Sequence, residues 1–150
     1  MLKNIDSIID PELLHTLAEM GHGDEIAVVD RHFPARSKNG RVHYLRSLGC
    51  GQVIKSVLTL FPLDGFTARP VISMAVPAEE WAQSSVQGEV LDICRKASSR
   101  PLEYHAMERD EFYRRTETCF AVVATGESRP YGCFILTKGV LPEFGPYIRS

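Results

Sequence analysis

The 150-residue chain holds 44% hydrophobic and 24% charged residues at a formal net charge of -2, the proportions of one globular domain large enough to fold without covalent staples. A charge so near zero offers no field for nucleic acid or an anionic lipid surface, no apolar run approaches the ~18 residues of a membrane helix, and no secretory leader pattern opens the chain, so the expected setting is the cytoplasm. Cys50, Cys94, Cys119 and Cys133 stand far apart with no CxxC pair, which favours free thiols over a zinc knuckle or a dithiol motif.

Asp10-Pro11-Glu12 opens the first helix: a capping carboxylate, a proline where no amide bond is lost, and an acid that the helix dipole favours. Leu13, Leu14, Leu17 and Ala18 supply its buried stripe, and Gly21 can stop it in the left-handed conformation. Residues 26–29 are apolar at every position, as in a strand covered on both faces. Residues 33–35 and 37–40 read as loop and 42–45 as a short strand. Val53, Ile54, Val57, Leu58 and Phe61 then recur at helical spacing until Pro62 ends the pattern.

Residues 71–76 form the next expected strand, and Val86, Val90, Leu91, Cys94 and Ala97 trace a third helix bounded by Pro101. Between them Trp81 and the 83–88 stretch read as a surface loop on which the indole packs, in preference to a lid. Leu102, Tyr104 and Ala106 alternate like a strand, 110–118 is helical, 120–124 is an apolar strand, 126–132 a turn and 133–137 the last strand. The tail with Pro142, Gly145 and Pro146 is irregular. Helices and strands thus alternate, which predicts an α/β fold in one layered domain spanning 1–150: a mostly parallel central sheet, helices on both faces and a C-terminal hairpin.

Gly21-His22-Gly23 invites comparison with a nucleotide loop, yet the phosphate fingerprint runs from strand into helix and here the order is reversed. HExxH and other close ligand spacings are missing, so no metal site is expected. His15 reads as an exposed helix residue, and His43 and His105 as ordinary sheet residues. His22 differs because glycines on both sides let the backbone approach a ligand. Its ring suits an acid or base, and its other reading is a cap on the helix-end carbonyls. Tyr131 and Cys133, carried by the 128–133 turn, read equally as an anchoring aromatic and strand filler. Asp30 and Arg109 both follow strands, where open α/β sheets bind ligands.

Taken together, Asp10-Pro11-Glu12-Leu13-Leu14, EMGHGDEI, VDRHFPA, LFPLD, EFYRR, FAVVATGE and PYGCFILTKGV resemble the L-fucose mutarotase and D-ribose pyranase family over residues 1–140. Arg109 and the HFPA stretch are similar to the fucose branch, since the ribose branch usually has histidine at the arginine position. The resemblance implies a cofactor-free enzyme that interconverts the α and β anomers of a free sugar, in a ring-shaped, decameric homo-oligomer. It carries over His22 as proton donor, Asp30 and Arg109 as sugar contacts, and Tyr131, Gly132 and Cys133 as the contact segment near the end. Cys133 stands where relatives generally have asparagine, and residues 45–49 lack their Arg-x-Asp-Gly.

A cyclic hemiacetal opens when its ring oxygen gains a proton and its anomeric hydroxyl loses one. That scheme casts His22 as the acid on the ring oxygen and Tyr131, or a water beside it, at the anomeric hydroxyl, with Asp30 and Arg109 gripping other hydroxyls. An extended strand advances about 3.3 Å per residue, so His22 and Asp30 stand roughly 26 Å apart unless the glycines fold the chain back. The expected site therefore either needs that fold-back or joins His22 of one subunit to Asp30 of another. Two other classes remain: a sugar-binding or regulatory subunit of the same fold with little activity, and a thiol-dependent hydrolase built on Cys133.

Overall fold

The computed structural model describes residues 1–83 and 85–141. Asp10 caps helix α1 (Pro11–Glu19) by accepting the Leu13 amide at 2.8 Å, as the sequence predicts. Leu13 and Leu17 are buried, but Thr16 completes the stripe and Ala18 faces outward. The helix stops at Met20 in an extended conformation, so Gly21 does not take the left-handed region; Gly23 does, at φ 86°.

Strand β1 (Glu25–Val29) sends Ile26 and Val28 into one apolar cluster and Ala27 and Val29 into another, the two-residue alternation of a strand buried on both faces. A short helix α2 (Ala35–Lys38) occupies part of the expected loop, followed by strand β2 (Val42–Leu45) and helix α3 (Cys50–Val57). Strand β3 (Val71–Met74) is shorter than predicted and leads through a 3₁₀ turn at Ala78–Gln83, where Trp81 is 53% exposed, into helix α4 (Val86–Ala97). The expected 83–88 loop thus lies partly within these elements, and position 84 and the 142–150 tail are outside the described residues. Of the alternating segment near 102–106, only Ala106–Met107 pairs as strand β4. Helix α5 (Arg109–Thr118), strand β5 (Ala121–Thr125) and strand β6 (Phe134–Thr137) complete the chain.

The six strands form one sheet in the order β2-β5-β1-β6-β3-β4. Its β1–β5, β2–β5 and β3–β4 pairs are parallel, while β6 is antiparallel to both β1 and β3. The predicted C-terminal hairpin is therefore not formed. β6 reverses direction but inserts on the far side of β1 from β5, between β1 and β3, where Phe134, Ile135 and Leu136 are buried. One face is covered by α1, α3 and α4, with Val53, Ile54, Val57, Val86 and Val90 fully buried. The other is covered by α2 and α5 around Ala35 and Phe112. Each such buried aliphatic side chain contributes roughly 1.5–3 kcal/mol relative to exposure.

Candidate functional site

The apolar run of β1 ends at Asp30, whose Oδ1 accepts the His32 amide at 3.0 Å and turns the chain. Arg31 N donates to Glu127 O at 3.1 Å, tying that turn to the segment between β5 and β6. Because β6 runs antiparallel to β1, with Val28 opposite Phe134, the start of β6 lies beside the end of β1. Cys133 Sγ donates to Asp30 Oδ2 at 3.5 Å as a result. Burial first, and the Asp30 charge second, push the Cys133 thiol well above its ordinary range. This thiol stays protonated and is no nucleophile at neutral pH.

Tyr131 adopts φ 60°, a left-handed conformation uncommon for a tyrosine. Its backbone oxygen accepts Gln87 Nε2 at 2.6 Å and its hydroxyl donates to Glu80 Oε2 at 2.8 Å. Gly132 packs behind this wall, where a Cβ would come within 2.8 Å of Glu127 Cγ, and its oxygen accepts from Cys50 Sγ at 3.1 Å. Glu127 is 5% exposed. Its carboxylate accepts Arg129 N at 3.1 Å, Arg129 Nη2 at 2.8 Å and the Cys50 amide at 3.3 Å. The Arg129 guanidinium holds the Glu127 carboxyl below the usual carboxylate range, against the effect of its burial. That buried clamp fixes the 126–132 turn and, through it, the direction of Tyr131.

Asp30, Arg109, Tyr131 and Cys133 line one recess of about 240 Å³ together with His32 and Glu80. Arg109 reaches it from the first turn of α5, just beyond β4, with a side chain 62% exposed. The recess is thus beyond the carboxyl ends of β1 and β4, where the sequence led one to look. A larger recess of about 420 Å³ lies on the other side of Asp30 and Phe33, lined by Arg31, Arg36, Tyr44 and Arg46. It contains neither Tyr131 nor Arg109, so the smaller recess is where four of the residues singled out in the sequence, Asp30, Arg109, Tyr131 and Cys133, come together.

His22 is elsewhere. Gly23 N donates to Lys138 O at 2.8 Å, so the chain continues along β6 and the glycines do not fold it back towards Asp30. The His22 ring, 46% exposed, puts Nε2 3.0 Å from Oδ1 of Asp64 and lies 5.2 Å from the Phe66 ring. The helix-end carbonyls that His22 was free to cap are taken by Lys138 Nζ, which donates to Leu17 O at 2.7 Å and to Met20 O. His15 is exposed beside Glu19, and His43 sits on β2 against Thr16 Oγ1 at 2.8 Å, as expected of surface and sheet residues. Among the described residues no group of three His, Cys, Asp or Glu side chains could hold a metal ion.

Sequence reasoning passed over Glu80, Asp64, His32 and the Glu127–Arg129 clamp. His32 was legible, since it lies in the same turn as Asp30. Glu80 and Asp64 carried no such signal: each meets its partner across 51 and 42 positions of chain.

The chain matches the model of the RbsD / FucU transport protein family over residues 3–141. It is 38% identical over 142 residues to an L-fucose mutarotase of Actinobacillus pleuropneumoniae serotype 5b, covering 95% of this chain and 99% of that one. Its fold superposes with a TM-score of 0.85 on the fucose mutarotase of Streptococcus pneumoniae in complex with L-fucose, at 32% identity, over 94% of this chain and 100% of the other. Bacillus subtilis RbsD complexed with D-ribose shares the fold at a TM-score of 0.67 and 24% identity, over 95% of this chain and 100% of that one.

Proposed function

The chain belongs to the RbsD / FucU family, and from that premise we infer that it is a sugar mutarotase, a carbohydrate isomerase interconverting the α and β anomers of a free monosaccharide, foremost L-fucose. The observation that carries this reading is the convergence of Asp30, Arg109, Tyr131 and Cys133, from three separate parts of the chain, on one small recess. L-Fucose is the sugar bound by the Streptococcus relative. All residues, 1–150, belong to one mutarotase domain in this reading.

Asp30 and Arg109 hold sugar hydroxyls, Gly132 lets the backbone pass close beside them, and Cys133 closes the wall. Tyr131 serves the anomeric hydroxyl. The acid on the ring oxygen is His22 of a second subunit, because within one chain it stands at the opposite end of β1. This arrangement calls for a closed homo-oligomer, a decameric ring with sites at its seams. A lone ring opening then needs two proton transfers, each within reach of an ordinary side chain. No described helix is long and apolar enough to cross a membrane, in keeping with a cytoplasmic enzyme.

The test is NMR magnetisation transfer between anomers across L-fucose, D-ribose and other deoxy sugars and pentoses, with furanose signals followed alongside. Acceleration strongest for L-fucose is expected. The second reading, a sugar-binding or regulatory subunit, is favoured by the thiol at 133, a weaker donor and acceptor than an amide. Saturable sugar binding with exchange at the spontaneous rate would establish that alternative instead.

A further inference from the structure

We propose that Glu80 is the proton acceptor behind Tyr131, so that phenol and carboxylate act as one relay on the anomeric hydroxyl. This rests on the mutarotase reading and deepens it. The Tyr131 hydroxyl donates to Glu80 Oε2 at 2.8 Å, and both side chains line the recess that Asp30 and Arg109 also face. The phenol is fixed from behind: Tyr131 sits at φ 60° with its backbone oxygen held by Gln87. A non-glycine residue kept in that conformation is strained, and the surrounding structure must offset that strain. Glu80 is half-buried in the 3₁₀ turn after β3.

A phenol alone is a poor base near neutrality, since its ordinary value is about 10. The bond to Glu80 raises it further, with burial and the charges of Glu80 and Glu79 acting the same way and Arg109 opposing them. Tyr131 accepts a proton, then, only as it gives its own away. In the forward step the anomeric O–H proton moves to Tyr131 Oη while the Tyr131 proton moves to Glu80 Oε2. The anomeric C–O bond becomes a carbonyl, the bond from that carbon to the ring oxygen breaks, and the ring oxygen takes its proton from the acid on the other side. After rotation of the aldehyde the same transfers run backwards, and Glu80 and Tyr131 end as they began. Glu80 never touches the sugar in this scheme; it is a positioning residue that also receives the proton.

A purely structural Glu80 would need only to accept the phenol hydrogen bond, which glutamine does equally well. Glu80→Gln therefore separates the roles. The relay predicts that kcat for anomer exchange falls by about tenfold or more with KM changed by less than about twofold, and that adding Glu80→Gln to Tyr131→Phe costs nothing further because the two residues act as a unit. Glu80→Asp, which keeps a proton acceptor, is expected to recover part of kcat. Exchange by Glu80→Gln within about twofold of wild type, or losses that multiply in the double variant, overturns the relay. Should Glu80→Gln fail to fold, Glu80→Asp decides alone: a kcat no better than that of Tyr131→Phe overturns it. A wild-type chain that accelerates no sugar in the panel overturns the mutarotase reading itself, whereas a fast wild type with an equally fast Glu80→Gln overturns the relay alone.

Discussion

His22 Nε2 lies 3.0 Å from Oδ1 of Asp64, a carboxylate itself pinned by the amides of Phe66 at 3.3 Å and Thr67 at 3.2 Å. The buried acid fixes the orientation of the half-exposed imidazole, the same logic by which a base is aimed in many acid–base pairs. His22→Gln is expected to lower anomer exchange by about 10²- to 10⁴-fold, roughly 3–5 kcal/mol of barrier. Asp64→Asn keeps the size and an acceptor oxygen but loses the charge, and a fall of about tenfold is expected. Saturation-transfer NMR reads both; near-normal exchange in His22→Gln removes that residue from the acid role.

Sites shared between subunits have a signature in mixtures. His22→Ala chains retain the Asp30 recess and Asp30→Ala chains retain His22, so if the proposed ring shares its sites between subunits, each variant alone would be inactive while co-assembled rings would contain some intact sites. Random mixing in equal amounts restores about a quarter of wild-type exchange if the site spans two chains. Mixtures that stay at the level of the separate variants show that both residues act within one chain.

Cys133 offers Asp30 only a weak thiol donor at 3.5 Å, whereas an asparagine amide both donates and accepts strongly. Cys133→Asn is expected to tighten sugar binding by about three- to tenfold through stronger hydrogen bonding to the substrate, seen as a lower KM. The native thiol is 1% exposed and raised by burial. Iodoacetamide at neutral pH is accordingly expected to leave Cys133 unmodified by mass spectrometry and exchange unchanged, which also distinguishes this site from a thiol hydrolase.

Glu127 makes the turn that carries Tyr131 acid-sensitive. Its folded value is depressed by Arg129, so the stability it contributes is present above the unfolded value of about 4.3 and is lost as pH falls through the lower folded value. Urea unfolding of wild type is expected to weaken across that acid window. Glu127→Gln, already lacking the ion pair, is expected to be less stable at neutral pH and to show a flatter acid limb; an unchanged limb assigns the sensitivity to another carboxylate.

Much of the fold was written locally. The Asp10 cap, the 26–29 run buried on both faces and the helices near 53 and 86 follow from short-range spacing, because capping and two- or 3.6-residue periodicity are properties of neighbouring residues. Asp30 and Arg109 stood out for a related reason, as polar residues just after expected strands, and the structure brings both to one recess. Only the tertiary structure decided that β6 inserts between β1 and β3, and with it which ends of the chain meet. That single antiparallel insertion sets Cys133 against Asp30, and at its other end Gly23 N bonds to Lys138 O, so His22 does not fold back to them. The Tyr131–Glu80 and His22–Asp64 pairs were illegible for a related reason: a hydrogen bond across some fifty residues leaves no periodicity, since it depends on where strands pair and not on what lies beside them in the chain.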